Sequence, residues 1–232
     1  MIALKLALVH LIGDFFLQPN SWVESKERRK IRSRFIYYHI AIHVGLSYLF
    51  LWNTEYWFLP IIVGVTHFLI DLSKLYFQTI KSKRGWFFLD QFLHFLVIGG
   101  IAYYYGELDF NAWWNLEILK YIVALAFLAM PTSIIIKNLL TVWTPNISEQ
   151  TSLQTDSLAN AGQYIGILER FLVFAFVALD HWEGVGFMIA AKSVFRFSDL
   201  AQAKQRKLTE YVLIGTLLSF GIAIMTGVLI NL

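Results

Sequence analysis

The sequence predicts an all-α fold: a polytopic transmembrane helix bundle of about eight spans in two four-helix halves. Three observations predict it. Hydrophobic residues make up 57% of the 232 and charged residues 15%, whereas a soluble domain carries about 25% charged residues. Apolar runs recur at close to the ~20 residues that a transmembrane helix needs. The basic residues are also segregated: twelve of the nineteen Lys and Arg fall within residues 20–34, 80–85 and 198–208.

The first expected span covers residues 2–19. It carries Lys5, His10 and Asp14 and has no small-x-small cleavage site, so it is read as a span and not as a signal peptide. Residues 20–34 are polar and basic and read as a loop. The second span is expected at 35–52, the third at 57–79 and the fourth at 86–105, with basic residues Lys81, Lys83 and Arg84 between the last two. Residues 106–117 form an acidic link holding Glu107, Asp109 and Glu117.

In the second half, a fifth span at 119–142 contains Pro131, which is expected to kink it. Residues 143–160 are rich in Ser, Thr, Asn and Gln and read as a linker. A sixth span at 161–179, a short seventh at 185–197 and an eighth at 209–232 complete the set. The domain expectation is thus a half at 1–110 and a half at 119–232. With both termini outside, the basic stretches face the cytoplasm and the acidic links face out, the positive-inside pattern. Segments 2–19 and 185–197 are short enough for re-entrant or tilted alternatives.

The first half is organised around a repeated pair. His10 and Asp14 are four apart, as are His39 and His43, His67 and Asp71, and Asp90 and His94. On a helix such residues share a face. The expected topology places all four pairs at one depth, roughly 6–18 Å inside the cytoplasmic ends of four consecutive helices at 1.5 Å per residue. Ionisable groups inside a membrane span mark a functional site by default. Imidazole and carboxylate donors suit Zn first, with Mn or Fe as alternatives, as one or two ions. All eight residues are candidate ligands. Asp14, His43, His67, Asp71, Asp90 and His94 lead, and His10 and His39 follow. A carboxylate of Asp14, Asp71 or Asp90 is the candidate catalytic base. A proton path and a structural polar network are the alternatives.

The chain has no cysteine, which excludes thiolate ligands and disulfides. It has no glycine-rich phosphate loop and no zinc-finger spacing. The net charge of +3 reflects the basic loops and does not point to a nucleic-acid surface.

These residues carry a resemblance. His10-Leu-Ile-Gly-Asp14-Phe-Phe-Leu-Gln18, a histidine in the second span, His67-Phe-Leu-Ile-Asp71 and Asp90-Gln91-Phe-Leu-His94 occur in order. Together they resemble the signature of a bacterial membrane family of unknown function. The second half is similar to its longer members through Gly166-Ile-Leu-Glu169-Arg170, Ala191-Lys192-Ser193 with Arg196-Phe197, and Glu210-Tyr211 with Ile214-Gly-Thr-Leu217. The resemblance implies the bacterial inner membrane and gives a fold without an established activity. A more distant likeness is to membrane-bound metal-dependent hydrolases.

The expectation is a metal-dependent hydrolase acting on a phosphoester or lipid-linked bond at the cytoplasmic leaflet. The alternatives are a proton- or ion-coupled transporter, or a non-catalytic metal-binding scaffold or sensor. Glu169, Arg170, Lys192, Arg196 and Glu210 form a second ionisable cluster. It is read either as a salt-bridge network or as a cationic pocket for a substrate phosphate. The expected partners are membrane lipid and a lipid-linked or phosphorylated substrate, with no nucleic acid and with homo-oligomerisation left open.

Overall fold

A computed structural model describes residues 2–52, 56–105, 117–141, 156–200 and 206–232, and the side chains of 2–52, 56–105, 118–141, 162–194 and 210–232. Among the described residues there is no strand. The helices are α1 (Ile2–Leu11), α2 (Asn20–Arg29), α3 (Arg34–Leu51), α4 (Leu59–Phe77), α5 (Lys83–Tyr104), α6 (Glu117–Leu128), α7 (Met130–Leu140), α8 (Asp156–Ala178), α9 (Trp182–Leu200) and α10 (Arg206–Asn231). The chain divides into two compact units, Met1–Ala126 and Phe127–Leu232. The expected linker at 143–160 and the acidic link at 106–117 lie largely outside the described residues.

In the first unit α1 packs on α3, α3 on α4, α4 on α5, and α5 back on α1. The four helices therefore close a ring. Their polarity runs opposite to that of a soluble bundle. Helix α3 buries Ile36, His39, His43, Ser47 and Leu51 at steps of three and four residues, and leaves Tyr38 and Leu49 exposed. Helix α4 buries Gly64, His67, Asp71 and Leu75 and exposes Val65 and Leu69. Helix α5 buries Asp90 and His94 and exposes Phe92 and Leu96. Ionisable groups inside and large apolar groups outside is the arrangement that lipid, not water, selects. An apolar plug of Ile2, Leu6, Leu51, Leu59, Ile98 and Ala102 fills one end of the ring. Gly64 lets α3 and α4 approach closely, since a Cβ there would lie 2.4 Å from Val44 Cγ2.

Four of the expected spans meet the length and apolarity of a membrane crossing on their own: Leu59–Phe77, Lys83–Tyr104, Ile118–Leu140 and Glu210–Asn231. Ile2–Phe16 with Asn20–Arg32 would make a fifth, bent by 85°. The polar stretch read as a loop is thus corrected: most of it is helix α2. Pro19, in an extended conformation, stops the first helix and caps the next. Lys26, Arg28 and Arg29 then fall in the last turn of α2, where cations complement the helix dipole. At its end Lys30 takes a positive φ of 53°, which is uncommon for a residue with a Cβ. Two ties hold that corner. Lys30 Nζ donates to the Leu75 carbonyl of α4, and the Ser25 and Ser33 hydroxyls bond at 3.0 Å.

In the second unit α8 packs against α7, α9 and α10, and α10 also packs against α7 and α9. Val173, Phe174, Val177, Phe220 and Ala223 are buried there. The kink expected at Pro131 is a break at Ala129, between α6 and α7. Helix α9 runs for 19 residues, longer than the short seventh segment expected.

Candidate metal centre

The centre begins with a distortion. Residues Ile12–Phe16 form a π-helical turn that closes with Leu17 N–H donating to the Ile12 carbonyl at 3.0 Å. Such one-turn π segments place functional side chains outside the α register. Asp14 lies on this turn. Its Oδ1 is 3.0 Å from His43 Nε2, 3.2 Å from His39 Nε2 and 3.3 Å from His67 Nε2. His39 Nε2 and His67 Nε2 are themselves 3.0 Å apart. Donors sharing one ion at bond lengths of about 2.0–2.2 Å stand about 3.0–3.5 Å apart, so this spacing suits a common ion.

The other predicted residues surround that core. The Nε2 of His10 lies 3.8 Å from Asp14 Oδ2 and donates to Gln91 Oε1 at 3.1 Å. Asp71 Oδ2 is 3.7 Å from His39 Nε2, and Asp71 Oδ1 is 3.9 Å from His67 Nε2. His94 Nδ1 donates to the Asp90 backbone carbonyl at 2.8 Å. That bond leaves its Nε2 as the lone-pair nitrogen. This Nε2 is buried with no hydrogen-bond partner, as are Asp90 Oδ1 and His43 Nδ1. Three donor groups result: His10, Asp14, His43 and His67; His39, His67 and Asp71; and Asp14, Asp90 and His94. Within each, the donor atoms lie within 4.8 Å of one another. All eight predicted residues therefore stand in one place, contributed by α1 with its π turn, α3, α4 and α5.

Four participants were not assigned a role from sequence. Lys26 Nζ donates to Asp71 Oδ2 at 2.8 Å, and Lys74 Nζ donates to Asp90 Oδ2 at 2.8 Å. Gln91 Nε2 donates to Asp14 Oδ2 and to Asp90 Oδ2, each at 3.2 Å. Gln18 Nε2 lies against the His39 ring, 2.9 Å from Nδ1. Lys26 was hidden because its stretch reads as a basic loop. Lys74 carried a signal: a lone lysine inside an apolar span, one turn beyond Asp71. Gln18 and Gln91 sit inside the motifs themselves.

A small cavity, with room for about one water molecule, is lined by His10, His43, His67 and His94 together with Val9 and Val97. Packing around Asp14 is tight. A Cβ at Gly13 would lie 2.3 Å from His43 Nε2, while one at Gly45 would meet nothing within 4 Å. Gly13→Ala is therefore expected to displace His43 and lower the metal content of purified protein, with Gly45→Ala unchanged. Equal metal content in the two variants would remove His43 from the donor set.

Four of the five residues of the second predicted cluster have described side chains. Lys192 pairs with Glu169 and lies 5.4 Å over the Phe220 ring. Glu210 is exposed, and the Arg196 side chain lies outside those described. Arg170 is buried and directs its guanidinium at the α6–α7 break, bonding the carbonyls of Leu128 and Ala129 and the hydroxyls of Ser133 and Ser219. Arg170 thus ties backbone carbonyls and hydroxyls together at that break.

No curated protein and no solved structure matches the chain. A family profile does, over residues 2–122, which is more than half of the sequence and contains every residue of the centre. By that match the chain belongs to the family described as protein of unknown function (DUF3307).

Proposed function

We propose that the chain is a membrane metal-dependent hydrolase acting on a phosphoester or another lipid-linked bond. One observation carries the reading: a single carboxylate oxygen, Asp14 Oδ1, has three imidazole Nε2 atoms within 3.3 Å. Asp14, His39, His43 and His67 would hold a divalent ion, with Zn the first expectation. Such an ion, when bound, supplies Lewis-acid activation of water and of the scissile oxygen. The protein's own groups do the rest. Gln91 orients Asp14 and Asp90 together. Asp90 Oδ1 and His94 Nε2, buried and without partners, are placed to accept a proton from water. Lys26 and Lys74 add cationic charge beside the ion, which favours an anionic substrate.

A second reading has an observation of its own. The five rings form a continuous chain of ring contacts, with centroids 4.8 Å apart for His10 and His94, 4.0 Å for His94 and His67, 3.8 Å for His67 and His43, and 4.6 Å for His43 and His39. Histidine chains of this kind serve proton relays in membranes. Purified protein in detergent separates the two. The hydrolase reading expects retained metal and chelator-sensitive phosphate release from phosphatidic acid or a polyprenyl phosphate. Metal-free protein that conducts protons in liposomes would sink it in favour of the relay.

A further inference from the structure

The three donor groups of the centre differ in one respect. The carboxylate of the second, Asp71, accepts a hydrogen bond from Lys26 at 2.8 Å; in the third, which shares Asp14 with the first, the other carboxylate, Asp90, accepts one from Lys74 at 2.8 Å. Only the first group, built on Asp14, has no ammonium on its carboxylate among the described residues. Its partners are imidazoles and the Gln91 amide. We propose that the centre takes one divalent cation, in the Asp14–imidazole set, and that Lys26 and Lys74 are resident counter-cations occupying the charge positions a second ion would need. The inference rests on the metal reading above and specifies its stoichiometry.

Charge decides between one ion and two. Asp14, Asp71 and Asp90 contribute three negative charges, and Lys26 and Lys74 two positive ones, a balance of −1. One divalent ion brings it to +1 and two bring it to +3. These groups are largely enclosed: Asp71 and Asp90 side chains are 8% and 1% exposed, and Lys26 is 6% exposed. Uncompensated charge in such surroundings is strongly disfavoured. A second ion would therefore have to expel a lysine. Lys74 is the more displaceable, with its side chain 25% exposed. The site it blocks is chemically complete. Asp90 Oδ1 and His94 Nε2 are both buried and unpartnered, and Asp14, Asp90 and His94 form one of the three donor groups. The lysines also explain how the centre tolerates two carboxylates in an apolar ring before any ion binds.

The test is ion counting on full-length protein in detergent, loaded with Zn2+, desalted and measured by elemental analysis against protein concentration. Wild type is expected to hold one ion per chain. Lys74→Met is expected to rise toward two, and Lys74→Arg, which keeps the charge, to stay at one. Two ions in wild type would overturn the inference while leaving the metal reading intact. An unchanged count of one in folded Lys74→Met would overturn the role given to the lysine. No retained ion in any protein would bring down the metal reading and this inference together. Where Lys74→Met does not fold, the wild-type count still decides between one ion and two.

Discussion

Asp14→Ala is expected to strip the protein of its metal while leaving the fold largely intact. Three Nε2 atoms converge on Asp14 Oδ1, and neither Asp71 nor Asp90 has more than one imidazole nitrogen within 3.8 Å among the described residues. Loss of a hydrogen-bonding partner of a ligand costs about 10–100-fold in metal affinity, so loss of this shared ligand is expected to cost more than about 100-fold. The fold should suffer less, because the partners of Asp14 are imidazoles and an amide that can turn to one another. His39 and His67, with Nε2 atoms already 3.0 Å apart, are placed for such a bond. Asp71→Ala makes the contrast. It leaves the Lys26 ammonium buried without its carboxylate, a loss of about 3–5 kcal/mol, and should show first in thermal unfolding. Elemental analysis and thermal unfolding on both variants separate the two effects. Equal metal retention in Asp14→Ala and wild type would remove Asp14 from the centre.

The eight ligand candidates were legible because a helix converts spacing into direction. Pairs four apart in apolar segments need no tertiary information to be read as one face, and four such faces on short-connected helices have few places to go but inward. What the sequence could not supply was the partner of each carboxylate. Lys26 is 45 residues from Asp71 in the chain, and Lys74 is 16 from Asp90. The 85° turn after the π segment sets the direction of α2, whose Lys26 reaches Asp71. Nothing in the composition of residues 20–34 distinguishes Lys26 from the arginines beside it, because a basic loop and a basic helix with one inward lysine have the same charge. The π turn was equally hidden. His10 and Asp14 keep a 3.8 Å separation in spite of it, so the pair looks regular although its local backbone is not.

Among the described residues four helices qualify as crossings on their own, and the ligands bear on which ones do. Apolarity detects a crossing helix through its average, and ligands within a helix lower that average. Helix α3 is 18 residues long and contains Arg34, His39 and His43; it falls outside the four helices that qualify, although its neighbours α4 and α5 are among them. In the second unit the sequence showed that Arg170 and Lys192 lie within apolar segments but not what they face. Lys192 found Glu169, the pairing its charge invites. Arg170 found backbone, which no pattern of side-chain charges can announce.

Arg170→Ala is expected to be the most destabilising single change in the second unit, by about 3–5 kcal/mol. The chain breaks at Ala129, where ψ is −107°, just ahead of Pro131. A proline donates no N–H, so carbonyls of the preceding turn lose their helical partners. In an apolar interior each must find another donor. Thr132 Oγ1 takes the Phe127 carbonyl at 2.7 Å. Arg170 takes the next two, with Nε donating to Leu128 O at 2.6 Å and Nη2 to Ala129 O at 3.0 Å. It also reaches the Ser133 and Ser219 hydroxyls at 2.6 and 3.2 Å, which tie the break to α7 and α10. Truncation orphans the buried Leu128 carbonyl at about 1–3 kcal/mol, leaves the Ala129 carbonyl to Ser133 Oγ alone at 3.1 Å, and removes the ties besides. Arg170→Lys should recover only part of the loss, because an ammonium is a point donor without the planar fork that spans adjacent carbonyls. Thermal unfolding of full-length protein in detergent is the measurement, with a fall on the order of 10 °C for the alanine variant. Metal content per folded chain should not change. A phosphate-binding arginine would behave in the opposite way, with Tm preserved and the KM for an anionic lipid raised. That outcome would return Arg170 to a substrate site and leave the break at Ala129 without its cap.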